Sequence, residues 1–546
     1  MTVKEGDGSN LMNVTADIVV VGGGFGGCYA LSQLRKSGYT VKLLEAGSDF
    51  GGVWHFNRYP GARVDSEVPL YQLSLPQAWR SFVFGERFPG HVELRQYFEH
   101  LSDALDLRKD AIFNCRVSAA RYDPDTRRWI LRSQGGLTAD CRFVIFATGT
   151  TNKAYIPPFA GLDNFKGKVI HPAAWPEELD IKGKKVGLVG QGASGLQILQ
   201  EIAKKDCDVK VFVRSPPTAL PMEQRSLTMR EAEEQKNTYA ALFNYAKFYH
   251  SSGYAHNPSP KSFYEATPEE RQELYEELWR RGSYALTTSG FSEMSYDPAA
   301  NAELYQFWAG KVRAMITDPV KREIMAPLKQ FQWIGTKRPN LFIDYYEMID
   351  RPNVELISLK ENTIEKFVEE GVVVAGPRGA QTLDLDIVIV ATGYDSVTGS
   401  LYDMNIAGRD GFPLQRRWAN GINTYLGMLA PGLPNAFMLY GPQAPSGLAN
   451  GPPFLELQVD WVVEFLRKFE KEGVRSFEVK TDAAERYRKD NLDTYNMLLL
   501  KDTPSWWNGS NIPGKVKEPL FWVKGMQAWR QETERALEDW SRFVLD

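Results

Sequence analysis

A chain of 546 residues has room for two or three domains around sizeable cores. Apolar residues make up 43% and charged residues 24%, the balance of a soluble globular protein rather than a disordered one. The net charge of −4 leaves no basic footprint for nucleic acid, and no apolar run reaches the length of a membrane span.

The residues Met1 to Asn10 lack the apolar stretch of a secretory signal, and the terminal Arg542 to Asp546 carry no organelle tripeptide. A cytoplasmic monomer is expected. Cys28, Cys115, Cys141 and Cys207 are scattered, which predicts buried free thiols in a reducing compartment. The missing C-x4-C argues against a disulfide-reductase flavoenzyme.

Residues 1–16 read as a loose arm. Asp17 to Val21 is a continuous apolar run suited to a parallel strand buried on both faces. It meets Gly22, Gly24 and Gly27 in a G-x-G-x-x-G. That pattern allows a tight turn, close approach of backbone to a pyrophosphate, and close helix–strand packing. The helix that follows offers free N–H groups and a positive dipole end to phosphate. A second strand, Thr40 to Glu45, ends in an acid that can accept ribose hydroxyls, which favours FAD or NAD there. The segment Gly51 to Asp65 places two glycines before Trp54 and suits backbone packed on a flat ring system; an ordinary aromatic loop is the alternative.

A helix near Val92–Leu105 and a hairpin over Val117–Leu131 are predicted next, with Asp123 to Asp125 as the turn. Arg142 to Gly149 is another buried strand ending in A-T-G, and Asp386 to Gly393 repeats the device. Each lies downstream of one glycine turn, an internal echo of two dinucleotide-type domains.

The second turn is Gly190, Gln191, Gly192, Ala193, Ser194 and Gly195, after the strand Lys184–Val189. Its second strand ends in Arg214 and Ser215 instead of an acid. A guanidinium grips a 2′-phosphate that a carboxylate would repel, so this site is read as NADP(H). Residues 222–330 alternate charged and aromatic residues at helical spacing, as in Pro268–Trp279 and Ala302–Met315, and read as a helical insertion. The sheet pattern resumes at Asn340–Ile343 and Val354–Ile357. Just before it, Lys337 and Arg338 are either a phosphate or oxyanion site or a solvated basic turn. Glu456–Phe469 reads as an amphipathic helix, and the Trp506–Trp507 pair lies on a loop that is a lid, a cavity wall or plain surface. The fold expected is α/β, with two dinucleotide-binding, Rossmann-like domains and the helical insertion. Residues 1–150 with 387–546 form the first domain and 151–221 with 331–386 the second.

The spacing Phe165-x-Gly167-x3-His171-x3-Trp175-Pro176, set between the two turns, resembles the fingerprint of the type I Baeyer–Villiger monooxygenases. Gly51 to Asp65, Gly335 to Pro339, Ala391 to Gly399, Thr424 to Gly427 and Ser505 to Lys515 are similar to segments of that family, in the same order. The likeness spans nearly the whole chain. Departures are Gln191, where Thr is frequent, Ala193, where a small hydroxyl residue is common, and Val64 before Asp65, where Cys is usual. Flavin monooxygenases that oxygenate nitrogen or sulfur carry a similar His stretch but usually another residue at the place of Trp175. They are one alternative, and a non-oxygenating flavoprotein redox module is another.

The resemblance implies FAD on the first turn and NADPH on the second. Reduced flavin and O2 would give a flavin peroxide that attacks a small-molecule ketone, yielding an ester or lactone. It implies Arg338 as the catalytic cation and Asp65 as the partner that holds or tunes it. Lys337 would join Arg214 at the 2′-phosphate. Gly52, Val53, Trp54, Tyr71 and Val117 would lie along the flavin, and Trp506 on the loop over nicotinamide and substrate. His171 is read as a hinge or structural residue of the linker. The six histidines show no metal-ligand spacing.

Overall fold

Ile18 to Val21, Leu43, Leu44 and Phe143 to Phe146 are all buried, so these strands are covered on both faces, as parallel strands of an α/β sheet must be. The computed structural model describes residues 13–546. β1 (Asn13–Val21) leads to α1 (Phe25–Lys36) and β2 (Val41–Leu44). β3 (Ala111–Ile112), β4 (Val117–Asp123), β5 (Arg128–Ser133) and β6 (Thr138–Phe146) follow. β3, β2, β1 and β6 lie side by side and parallel. The β4–β5 hairpin pairs antiparallel with the first half of β6, and Ala436–Met438 pairs parallel with its second half. The expected arm over residues 1–16 is partly corrected. Residues 1–12 lie outside the described chain, and Asn13 to Ala16 already pair with Thr138 to Cys141.

The second sheet is all parallel. Its order is Val354–Ser358, β9 (Cys207–Val213), β8 (Lys184–Val189), Ile387–Val390 and β7 (Lys168–Ile170). A three-stranded antiparallel sheet over Thr363–Val368, Gly371–Gly376 and Gly379–Asp384 is additional to the expected elements. Its Phe367, Val372 and Val374 share a core with Phe165, Phe212 and Leu385. The Phe165-x-Gly167 spacing therefore has a packing cause: a Cβ on Gly167 would collide with the Asp386 carbonyl oxygen and the Phe165 ring.

Between Leu220–Pro221 and Leu341–Phe342, which pair with each other, the main elements are helices. They include Met229–Gln235, Tyr239–Phe248, Pro268–Arg281, Pro298–Arg313 and Pro319–Met325. Thr267 caps the third through a reciprocal bond with Glu270, and Asp297 and Asp318 cap the last two. The strand expected at Asn340–Ile343 thus belongs to a separate two-stranded ladder and not to the main sheet. Helix Gly451–Lys471 opens with Pro452 and Pro453 in its first turn, where no N–H is needed. It lies against α1, with Leu455 close to Gly26.

Candidate active site

Each glycine turn interlocks with one A-T-G. Gly22 stands at φ +113°, and a Cβ there would come within 2.5 Å of the Ala147 carbonyl oxygen. Gly190, at φ +102°, meets the Ala391 carbonyl in the same way. Gly27 and Gly195 were expected among the cofactor-binding residues. They are not on the cavity wall: each packs its helix onto the carbonyl of Gly22 or Gly190, so close that a Cβ would collide with it. Gly24 and Gly192 do face the cavity, and a Cβ on Gly192 would meet no protein atom within 4 Å.

Both turns line one continuous cavity of about 1890 Å³. Single-ligand pockets run to about 1,000 Å³, so this space suits two dinucleotides. Glu45, 4% exposed, closes its first-domain end. Its carboxylate accepts from Gly23 N at 2.5 Å and Gly47 N at 2.6 Å. Burial pushes its pKa up, against the pull of those two N–H groups. Gly52, Val53, Trp54, Tyr71 and Val117 lie along the same wall, where the Trp54 indole N–H donates to the Tyr71 hydroxyl at 3.0 Å.

On the second turn, Gln191 is fixed from three directions. The Tyr345 hydroxyl donates to its Oε1 at 2.6 Å, its Nε2 donates to Gly190 O at 2.7 Å, and Asn340 Nδ2 donates to its carbonyl at 3.2 Å. Ala193 opens the helix, and Ser194 Oγ donates to the Tyr59 hydroxyl at 3.1 Å. Arg214, Ser215 and Lys337 lie together on the wall beyond. Among the described residues neither cation has an ion pair. Burial lowers the pKa of Lys337, and the charge of Arg214 lowers it further. Two like charges without a protein counterion fit the 2′-phosphate of NADP(H).

Arg338 and Asp65 come together at the wall between the two turns. Arg338 Nε donates to Asp65 Oδ2 at 2.7 Å and Nη2 to Oδ1 at 2.9 Å, a bidentate fork. Nη1 donates to Gly447 O at 3.2 Å. Burial disfavours the charge on each partner. The pair nonetheless holds Asp65 below its usual value and Arg338 above its own, so both are ionised. The side chains are 25% and 29% exposed, which leaves guanidinium N–H groups toward the cavity. A third group, absent from the sequence reading, completes the cluster: the Tyr284 hydroxyl donates to Asp65 Oδ2 at 2.6 Å.

Trp506 faces the cavity from a short turn capped by Ser505 and Asn508. Asn511 Nδ2 donates to Tyr394 O at 2.9 Å, and Lys515 Nζ to Asp395 Oδ1 at 2.8 Å, so this loop is a built wall here. His171 is also on the wall, but both ring nitrogens are engaged. Ala173 N–H donates to Nδ1 at 3.1 Å, and Nε2 pairs with Gly393 O at 3.0 Å. That leaves no nitrogen for a base role.

Residues 20–83 match the NAD(P)-binding Rossmann-like domain family, and residues 76–285 match the L-lysine 6-monooxygenase/L-ornithine 5-monooxygenase family. Over nearly its full length the chain is similar to curated relatives. It is 36% identical to cyclopentanone 1,2-monooxygenase of Comamonas sp., covering 100% of this chain and 98% of that protein. It is 32% identical to a Baeyer–Villiger monooxygenase of Pseudooceanicola batsensis, covering 96% and 95%. The chain belongs to the type I Baeyer–Villiger monooxygenases. A solved structure, OTEMO in complex with FAD and NADP, superposes with a TM-score of 0.92 at 32% identity, covering 97% of this chain and 99% of that one. As a type I Baeyer–Villiger monooxygenase the protein is an FAD-dependent, NADPH-consuming enzyme that inserts one oxygen atom of O2 next to a ketone carbonyl. Among its described residues, no helix is long and apolar enough to cross a membrane.

Proposed function

We propose that Arg338 is the fixed cation of the Baeyer–Villiger reaction, and that its substrate is an uncharged ketone seated against Tyr440, Ala449, Leu455 and Trp506. The bidentate fork to Asp65, with guanidinium N–H groups still facing the cavity, carries this reading. FAD and NADPH, when bound, supply oxygen activation and hydride transfer. The protein's part is charge and position. A ketone oxygen gains negative charge as its carbonyl carbon is attacked, and a preorganised cation there lowers the barrier by about 3–4 kcal/mol, on the scale of an oxyanion-hole donor. Asp65 keeps the guanidinium plane fixed. Lys337, Arg214 and Ser215 select the 2′-phosphate. Glu45, Gly24, Gly52, Val53, Trp54, Tyr71 and Val117 hold FAD, Gly192 gives the nicotinamide dinucleotide close access, and Trp506 covers the site. We also assign the first sheet to the FAD domain and the second to the NADP domain, which moves the strand Ile387–Val390 from the first domain, where residues 387–546 were expected, to the second, with residues 222–330 as the insertion.

The match to a lysine and ornithine monooxygenase family favours a second reading, oxygenation of an amine nitrogen. The site argues against it. The ionised Arg338, held by Asp65, sets a fixed positive charge at the site that repels an ammonium substrate. The four buried thiols support a reducing compartment such as the cytoplasm, and the charge of −4 supports partners other than nucleic acid. A monomer is the state we infer.

The test is Arg338→Ala, assayed for NADPH oxidation and oxygenated product over cyclic, open-chain and aryl ketones. NADPH oxidation should persist while product falls by about 100- to 1,000-fold, the loss of one oxyanion-type donor. Product at near wild-type rate would remove Arg338 from the role.

A further inference from the structure

We infer that Tyr284 is a positioning residue of this reaction: it holds the Arg338–Asp65 pair from the helical insertion, and through it sets how much of the NADPH consumed ends in oxygenated product. The inference rests on the reading of Arg338 given above.

The geometry is direct. Asp65 Oδ2 takes two donors, Arg338 Nε at 2.7 Å and the Tyr284 hydroxyl at 2.6 Å. The Tyr284 ring also lies under the guanidinium, with Arg338 Cζ 5.0 Å from its centroid. One side chain thus touches both members of the ion pair, its hydroxyl on the anion and its π-face on the cation. The two contacts act in the same direction. A hydrogen bond to Asp65 draws charge from the carboxylate, which leaves more of the Arg338 charge for the cavity. The ring contact fixes the plane in which the free N–H groups point. Of the five guanidinium N–H groups, three are held, two by Asp65 and one by the Gly447 carbonyl.

The backbone is bent to deliver this residue. Helix Pro268–Arg281 ends at Gly282, at φ +72°, and the next residue, Ser283, is a non-glycine at φ +59°. Ser283 is buried, and its hydroxyl finds no partner among the described residues. A left-handed serine with a buried unbonded hydroxyl is unfavourable locally, so the surrounding structure must impose it. What it achieves is the inward turn of Tyr284, which is 4% exposed. Tyr254 supports it from the same insertion. Its ring meets Tyr284 edge to face at 5.9 Å, and its hydroxyl is 3.1 Å from Ser66 Oγ, beside Asp65. The insertion is therefore part of the active site and not only a cover on it.

The experiment compares wild type with Tyr284→Phe, Tyr284→Leu and Arg338→Ala, each loaded with FAD. The probes are cyclopentanone, 2-octanone and acetophenone, scored on the one that wild type converts best. The readout is the ratio of ester or lactone formed to NADPH oxidised, with hydrogen peroxide measured alongside. Tyr284→Phe keeps the ring and loses the hydroxyl, and its ratio should fall about tenfold, the scale of one hydrogen bond to a charged group. Tyr284→Leu loses both contacts and should fall further, peroxide making up the difference. A merely structural role would lower flavin content and all rates together and leave the ratio unmoved, and that result would overturn the inference. So would unchanged ratios in both Tyr284 variants while Arg338→Ala loses product. If Arg338→Ala itself keeps product, the reading of Arg338 fails and the role of Tyr284 with it.

Discussion

Lys337 and Arg214 set up a charge imbalance that NADPH should relieve and NADH should not. Each faces the cavity without an ion pair among the described residues, and burial and mutual repulsion lower the pKa of Lys337. A hydrogen bond to a charged group contributes about 1.5–3 kcal/mol, so removing either cation should raise the KM for NADPH roughly 10- to 150-fold. The KM for NADH should stay within about twofold. The pH dependence has a defined sign. The unfolded lysine titrates near its ordinary value and the folded one lower, so between the two the unfolded chain binds more protons and stability rises with pH. Below the folded pKa the full cost of the charged lysine is present. NADPH binding needs that charge, so its KM should climb as pH passes the lowered pKa of Lys337, and the climb should move to higher pH in Arg214→Ala. The assay is initial-rate oxidation of NADPH and NADH between pH 6 and 10. Equal rises for both nucleotides, or no change in either variant, would refute the phosphate assignment.

Three further outcomes follow from packing and pairing. Gly192→Ala adds a methyl that meets no protein atom, so thermal stability should hold while the KM for NADPH rises by about tenfold or more. Gly195→Ala drives the methyl into the Gly190 carbonyl and should instead destabilise the protein, read by thermal unfolding. Glu456, wholly buried, accepts from Ser74 N–H at 2.5 Å and Lys247 Nζ at 2.9 Å, tying the insertion to the flavin side. Glu456→Ala takes the counterion from Lys247, which keeps only the Ser74 hydroxyl, and the acceptor from Ser74 N–H, and should cost about 3–5 kcal/mol in denaturant unfolding, whereas an unchanged midpoint would contradict the pairing.

The parts legible in the sequence were those fixed by local chain geometry. A strand, a G-x-G-x-x-G and a helix occupy adjacent residues, and an acid or an arginine closes the next strand, so Glu45 and Arg214 could be read in place. Gly27 and Gly195 pack their helices off the cavity wall, because the same motif serves ligand approach and helix packing, and only coordinates separate the two. Tyr284 was invisible for a different reason. It reaches Asp65 across 219 positions of sequence, from a helical stretch whose periodicity reports burial and not chemistry. The antiparallel sheet over residues 363–384 went unread because its last strand, Gly379–Asp384, is mostly exposed and carries no apolar alternation. Leu341–Phe342 looked like sheet but found Leu220–Pro221 as its partner, a pairing that no local pattern encodes.

The decisive measurement is turnover of the FAD-loaded enzyme with NADPH and a ketone under ¹⁸O₂, with product mass read against NADPH oxidised. One ¹⁸O per product molecule, placed beside the former carbonyl, and loss of that product in Arg338→Ala are the predicted result. NADPH consumed with peroxide alone for every ketone, while an amine or sulfide gains the label, would contradict it.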